Sequence, residues 1–249
     1  MISDPRFYLI AGFVVLVIGI SKAGFGTAGG IAVPLLALTV APQQAAAIML
    51  PILLTCDAIG LVVFRGSFDR ANLRIILPGA ILGIILGALT FNLIDARWIR
   101  FIIGIESVLF AVDRFRKGRA VLLPQTASTA KGWFWSTVSG FTSFVSHAGG
   151  PPLMQFLLPQ ALDKMLLVGT TTIFFSVVNF VKLAPYSALG LLDWHNLATS
   201  AVLLPIVPIG YRIGLKLLHK LDQRTYNLVL TWLLLLVGLK LLWDAVLGG

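Results

Sequence analysis

The sequence predicts an all-α polytopic membrane protein made of two inverted repeats. Each repeat is a glycine-broken, re-entrant helix pair followed by three transmembrane helices. Three observations lead there. The chain of 249 residues is 58% hydrophobic and 12% charged, with a mean hydropathy of +0.95, whereas about a quarter of a soluble domain is charged. Its apolar runs reach membrane-crossing length: residues 75–94 carry no charge, and about twenty such residues match a hydrocarbon core of about 30 Å. The glycines and prolines that punctuate the first half recur in the second in the same order.

Taken in order, residues 7–20 and 31–40 are apolar and flank the break Gly24-Phe-Gly-Thr-Ala-Gly-Gly30. Helices of about 10–14 residues extend about 15–21 Å at 1.5 Å per residue, too short to span alone. The pair therefore reads as a hairpin that returns to its own side, although a single kinked crossing also fits. Residues 45–64 form a full-length run interrupted only by Asp57. After residues 75–94, the run 98–112 is shorter and contains Glu106. Arg97, Arg100, Arg114 and Arg116 stand at its ends, where long basic side chains can snorkel. Residues 114–131 are polar and basic and divide the first repeat (7–113) from the second (132–247).

The second repeat opens with the hydroxyl-dotted run 133–144. The break Ser143-Phe-Val-Ser-His-Ala-Gly-Gly150 and the run 151–159 follow. Spans are expected over 165–183 (with Asn179 and Lys182), 196–218 (with Arg212) and 226–247. Pro78, Gly83 and Gly87 recur as Pro205, Gly210 and Gly214, and Asp95-Ala-Arg97 recurs as Asp222-Gln-Arg224, all displaced by 127 positions. Gly29-Gly30 recurs as Gly149-Gly150. The shared order reads as duplication.

Charge then orients the repeats. With both breaks re-entrant, twelve of the 19 lysines and arginines gather on one side: Arg65, Arg70, Arg74, Arg114, Arg116, Lys117, Arg119, Lys131, Lys164, Lys216, Lys220 and Arg224. Arg6, Arg97, Arg100, Lys182 and Lys240 fall on the other. The positive-inside rule favours this arrangement over eight crossings and makes loops 65–74, 113–131 and 216–225 cytoplasmic, in a multi-pass protein of the cell inner membrane. Three crossings per repeat invert the second repeat relative to the first. The net charge of +9 is thus a topology signal, and no nucleic-acid partner is expected. The partners expected are the lipid bilayer and a small anion; oligomeric state is not legible.

Broken helices at the midplane of inverted repeats suit a substrate site. Gly149-Gly150 followed by Pro151 reads as a helix start, and Gly29-Gly30 as its counterpart. Helix N-termini offer free amides and partial positive charge to an anion. The expected substrate-binding residues are Lys22, Gly24, Gly26, Thr27, Gly29 and Gly30 from the first break, and Ser143, Ser146, His147, Gly149 and Gly150 from the second. The competing structural reading is that the glycines are packing contacts, Lys22 snorkels and His147 is a satisfied buried histidine. Glu106, Asp57 and Arg212 lie in apolar runs as candidates for ion coupling or for a structural ion pair.

Other classes fit less well. The single Cys56 builds neither a disulfide framework nor a cysteine metal site. His147, His195 and His219 stand alone without an HExxH string, and no nucleophile elbow occurs, so neither a catalytic residue, a metal nor a cofactor is expected. No P-loop string occurs either, which argues against ATP-driven pumping by this chain. The N-terminal run has no cleavage-site pattern of a signal peptide, and alternating ten-residue strands of a barrel are absent.

The string Gly24-Phe-Gly-Thr-Ala-Gly-Gly-Ile-Ala-Val-Pro34, its echo Ser146-His-Ala-Gly-Gly-Pro-Pro152 and the basic central loop resemble the TauE/SafE sulfite exporter family. The resemblance covers nearly the whole chain. It implies a bacterial inner-membrane transporter of sulfite, sulfonates or related organosulfur anions, with no catalytic residues to carry over. Thr27 or Ala28 stands where the family often has glycine, which narrows the pocket. The expected function is secondary export of a small sulfur oxyanion, with a passive anion channel or an importer of another small anion such as a carboxylate as alternatives.

Overall fold

The computed structural model describes residues 2, 4–25, 36, 39–40, 42–91, 96–117 and 124–247. Every regular element among them is helical: α1 (Pro5–Lys22), α2 (Pro42–Val63), α3 (Arg70–Thr90), α4 (Ala96–Lys117), α5 (Thr129–Ser146), α6 (Gly150–Leu157), a 3-10 turn (Leu158–Gln160), α7 (Lys164–Ala188), α8 (Trp194–Leu203), α9 (Ile206–Lys220) and α10 (Gln223–Val246). Gly26, Thr27, Gly29 and Gly30, expected at the first break, lie outside the described residues, as does the side chain of Glu106.

Five of the ten acids in the chain begin its helices. Asp4, Asp69, Asp163, Asp193 and Asp222 each take the N-cap position and accept from amides of the first turn at 2.7–3.4 Å, satisfying donors that have no intrahelical partner. A related match is a motif not anticipated from the glycines. Asp69-Arg-Ala-Asn72 and Asp193-Trp-His-Asn196 use the same asparagine to bond back to the capping carboxylate, at 2.9 and 3.2 Å. Each asparagine also meets a glutamine of the opposite half: Asn72 with Gln160, and Asn196 with Gln44.

Packing partners exchange when the two halves are exchanged. α1 packs along α9 and α5 along α3, while α2 packs on α7 and α4 on α10. The recurring glycines make the first two contacts. A Cβ on Gly83 would lie 2.0 Å from the Thr137 carbonyl oxygen of α5, and one on Gly210 would lie 2.5 Å from the Leu16 oxygen of α1. These glycines are helix-packing contacts, as small residues in membrane helices commonly are.

Five helices are long and apolar enough to cross a membrane, α1, α2, α3, α7 and α10, with α8–α9 as a sixth if counted as one bent span. Two expectations change here. The run 98–112 sits inside α4, which is long enough but too charged to count with the others. The expected continuous span 196–218 is two helices bent by 49°. Pro205 stands at the bend, where its ring cannot donate and collides with the preceding turn. Pro78, its counterpart, leaves α3 unbroken. The second-half segment has three more residues between its capping aspartate and its proline, so the two prolines meet different surroundings.

The polarity of the bundle is that of a membrane protein. Leu9, Phe13, Val62, Leu89, Leu109, Phe134, Phe180 and Leu236 are exposed, whereas Ser136, Ser139, Thr142, Thr170, Asn179, Lys182 and Thr199 are buried. In water such apolar patches would be an association surface; in lipid they face a matching solvent. Cys56 is fully buried in the core.

One end of the bundle joins the basic loops. Asn72 bonds Gln160, the Gln125 amide donates to the Pro159 carbonyl at 3.0 Å, and Lys164 reaches the carbonyls of Leu218 and Leu221 and, through its amide, Gln223. Arg65, Arg70, Arg74, Arg116, Lys131, Lys216, Lys220 and Arg224 are exposed around these contacts.

Candidate functional site

The site is built where α1 and α5 end. α5 closes with a residue in the left-handed conformation, His147, at φ 54° and ψ 22°. Its amide returns to the Ser143 carbonyl at 3.1 Å and that of Ala148 to Thr142 at 3.3 Å, the paired bonds that end many helices with glycine at this position. Histidine there carries a backbone cost of about 1–2 kcal/mol, so the ring must be held by its surroundings. It is. Nε2 donates to the Ala46 carbonyl of α2 at 3.1 Å, and Nδ1 faces Lys182 Nζ at 3.0 Å.

Lys182 is fully buried on α7. Besides His147, its amine meets the Ser143 carbonyl and the Ser143 hydroxyl, both at 3.0 Å. All its partners therefore belong to the end of α5, where the last carbonyls of a helix favour a cation. Tyr186, one turn further along α7, donates to the Phe144 carbonyl at 2.9 Å. No carboxylate pairs with Lys182 among the described residues.

Lys22 closes α1 in the same sense, as the basic residue of its last turn. Its partner is an acid. Lys22 Nζ lies 2.7 Å from Asp57 Oδ1 on α2, and Asn179 Nδ2 donates to the other carboxylate oxygen at 2.6 Å. Asn179 stands 122 positions after Asp57, on α7, which packs on α2, so an acid and its isosteric amide meet between these two helices. The ammonium also sits 4.8 Å over the Phe175 ring, a cation–π distance.

These two clusters face one small cavity. Lys22, Leu53, Ser143, His147, Gly150, Phe175 and Asn179 line it, with about 20 Å³ of water-accessible space, room for a water or a very small group before the walls move. On α2, Leu53 lines it, between Ala46, which accepts from His147, and Asp57, which pairs with Lys22.

The structure thus gathers Lys22, Ser143, His147 and Gly150 around one cavity and gives Gly24, Ser146 and Gly149 different roles. Gly24 accepts from Tyr226 through its carbonyl at 2.7 Å and packs on Leu218. Ser146 returns its hydroxyl to the Thr142 carbonyl, and Gly149 caps α6 while accepting from Ser139 at 2.6 Å. Arg212 is exposed on α9, away from the cavity-lining set. α6 begins as its glycines and prolines predict, but Pro151 and Pro152 remove two first-turn amides and leave Gly150 as the donor there. Positive charge near the cavity comes mainly from amines.

Sequence reasoning set Lys182 among the cations of the far side, because the apolar run seemed to end at Leu183. α7 continues to Ala188 and buries it. The signal was present: no charge follows Lys182 until Asp193, so the amine was inside an uncharged stretch. Asn179 and Phe175 were likewise not singled out. No group of three His, Cys, Asp or Glu that could hold a metal occurs among the described residues.

Comparison with known proteins decides the family. The model of the family described as sulfite exporter TauE/SafE matches residues 10–241. The chain belongs to the TauE/SafE sulfite exporter family. The match runs from α1 to the last turns of α10 and takes in both breaks and every residue of the cavity. TauE/SafE proteins are transporters, in keeping with the apolar, lipid-suited helices of this chain. No curated protein and no solved structure matches the chain.

Proposed function

We propose that this TauE/SafE protein is a secondary transporter that exports a small sulfur oxyanion, sulfite, a sulfonate or a similar ion, across the cell inner membrane. The anion is held in the cavity between Lys22 at the end of α1 and the Ser143–Gly150 break. The observation that carries the reading is the convergence of Lys22, Ser143, His147 and Gly150, from two breaks far apart in sequence, on one cavity. Gly26, Thr27, Gly29 and Gly30 belong to the first break and complete the proposed site.

The loop contacts support the inverted, re-entrant plan. α5 leaves the basic end at Gln125–Thr129, and the chain after α6 is back at that end, where Pro159 accepts from Gln125. α1 runs beside α9 in the same direction, with Gly12 against Ile206 and Gly24 against Leu218, so α1 approaches the basic end while α5 departs from it. Repeats 7–113 and 132–247 would then enter from opposite faces. The linker 114–131, with loops 65–74 and 216–225, is assigned to the cytoplasm by its positive charge.

The Lys22–Asp57 pair and the His147–Ala46 bond flank the cavity, whose small volume favours alternating access over an open channel. An inside-negative potential favours anion export by about 2.3 kcal/mol per charge per 100 mV, so no coupling ion is required. Asp57 is assigned to an ion pair, and Glu106 and Arg212 stay outside the proposed binding set.

Proteoliposomes loaded with sulfite or methanesulfonate test the reading. Efflux should saturate, should be accelerated by an inside-negative potential, and should slow at least about tenfold in Lys22→Ala, as expected for loss of a charge contact. Non-saturating flux, or wild-type rates in Lys22→Ala with the protein correctly inserted, would reject it.

A further inference from the structure

The hydrogen bonds around the cavity bound the positive charge it can offer, and the following rests on the reading of that cavity as an anion site. Lys22 and Asp57 are an ammonium and a carboxylate 2.7 Å apart and together contribute no net charge. For the second amine, the Ala46 carbonyl can only accept, so His147 Nε2 carries a hydrogen. Nδ1 of the same ring faces Lys182 Nζ at 3.0 Å, and a hydrogen bond there needs one donor and one acceptor. Protonating both nitrogens would set two N–H groups and two charges head to head. The Lys182–His147 pair therefore holds at most one charge.

Among the described residues the other ionisable groups do not alter the sum. Residues 26–38 of the first break contain none. The Tyr186 hydroxyl donates to Phe144, and Cys56 is a buried thiol beside Asp57. Among the remaining described acids, five cap helices and Asp244 pairs with Lys240. The described residues around the cavity thus supply no more than one net positive charge.

We infer that the cavity is a monoanion site and that Asp57 sets this valence. Hydrogensulfite or an organic sulfonate matches the single charge. A dianion such as sulfate leaves one buried negative charge unmatched, which is the costly state where water is excluded. Asp57 discriminates without touching the substrate: by neutralising Lys22 it lowers the available charge from two to one. It is a specificity-determining, positioning residue.

Methanesulfonate and sulfate make the test clean, since both are tetrahedral at sulfur and differ by a methyl in place of a charged oxygen. Their binding to the purified full chain in lipid nanodiscs is measured by titration calorimetry. Wild type should prefer methanesulfonate by at least about tenfold, the minimum expected for one unmatched charge. Asp57→Asn should move the ratio toward sulfate by a similar factor. The double variant Lys22→Met with Asp57→Asn restores one net charge and should restore the preference. Tighter sulfate binding by wild type, or a ratio unmoved in a folded Asp57→Asn protein, overturns the valence assignment while leaving the anion site standing. A shift in Glu106→Gln equal to that in Asp57→Asn also overturns it, by adding an ionisable group to the count. If wild type binds neither probe, nor sulfite, nor acetate, the anion site itself is rejected and the valence with it.

Discussion

The two halves of the chain each hold an amine at or behind the same cavity and stabilise it by different means: Lys22 lines the cavity, and Lys182 lies behind Ser143 and His147, which do. In the first half Lys22 ends its own helix and meets a full counter-charge in Asp57, backed by Asn179. In the second half Lys182 reaches across from α7 to the end of α5 and, among the described residues, finds a carbonyl, a hydroxyl and an imidazole nitrogen. A shared scaffold has thus been given unlike chemistry. One amine lines the cavity with its charge neutralised by an acid; the other leaves a charge for a partner that comes and goes. A transporter benefits from that division, because a site with both amines paired would not attract an anion, and one with neither paired would hold it too tightly.

The largest effect should come from the unpaired side. Lys182→Met removes the uncompensated charge and is expected to weaken methanesulfonate binding on the order of a hundredfold; calorimetry on the nanodisc sample reads it. Binding within threefold of wild type, roughly half a kcal/mol or so, would show that Lys182 only braces α5. The paired side should respond in stability as well as in transport. Lys22→Met leaves the Asp57 carboxylate buried without its cation and is expected to cost about 3 kcal/mol, seen as a lower unfolding midpoint. Adding Asp57→Asn should recover most of that loss. An unchanged midpoint in the single variant would make the pair dispensable.

Two smaller tests address the scaffold beneath the amines. Gly83→Ala would place a methyl 2.0 Å from the Thr137 oxygen, and Gly210→Ala one 2.5 Å from the Leu16 oxygen. The expected losses are roughly 2–3 kcal/mol and roughly 1–2 kcal/mol, the range for overpacking, so the first half's contact should prove the tighter. The reverse order in thermal unfolding would mean that the halves do not pack alike. The smallest stability change is expected for His147→Gly, where relief of about 1 kcal/mol of left-handed strain offsets the lost ring bonds. Its anion binding should still fall several-fold as Lys182 loses its nitrogen acceptor. A large drop in the unfolding midpoint would make His147 a structural keystone first.

Much of the plan was legible before any coordinates. Composition and run length marked the membrane protein, because a bilayer core imposes length and apolarity on each segment independently of its neighbours. Lys22, Ser143, His147 and Gly150 stood out as polar or conformationally special residues where apolar helices stop, and those stops bring them to the cavity. The glycines that recur at an offset of 127 were readable too, and Gly83 and Gly210 are helix-packing contacts, a local requirement of close helix approach.

Pairing was not legible. Nothing local distinguishes Lys22, which has a carboxylate, from Lys182, which has none among the described residues; that depends on α2 and α7 lying side by side with Asp57 opposite Asn179. Nor does the sequence show that Ser146 and Gly149 spend their polar groups within their own break while Ser143 faces the cavity. Pro78 and Pro205 are one residue type at one repeat position, yet only the second marks a bend. Sequence by itself determined the solvent, the segments and the stops, which are set by the preferences of each stretch of chain. Tertiary structure alone decided which charges meet, because Coulomb energy depends on distance through folded space rather than along the chain.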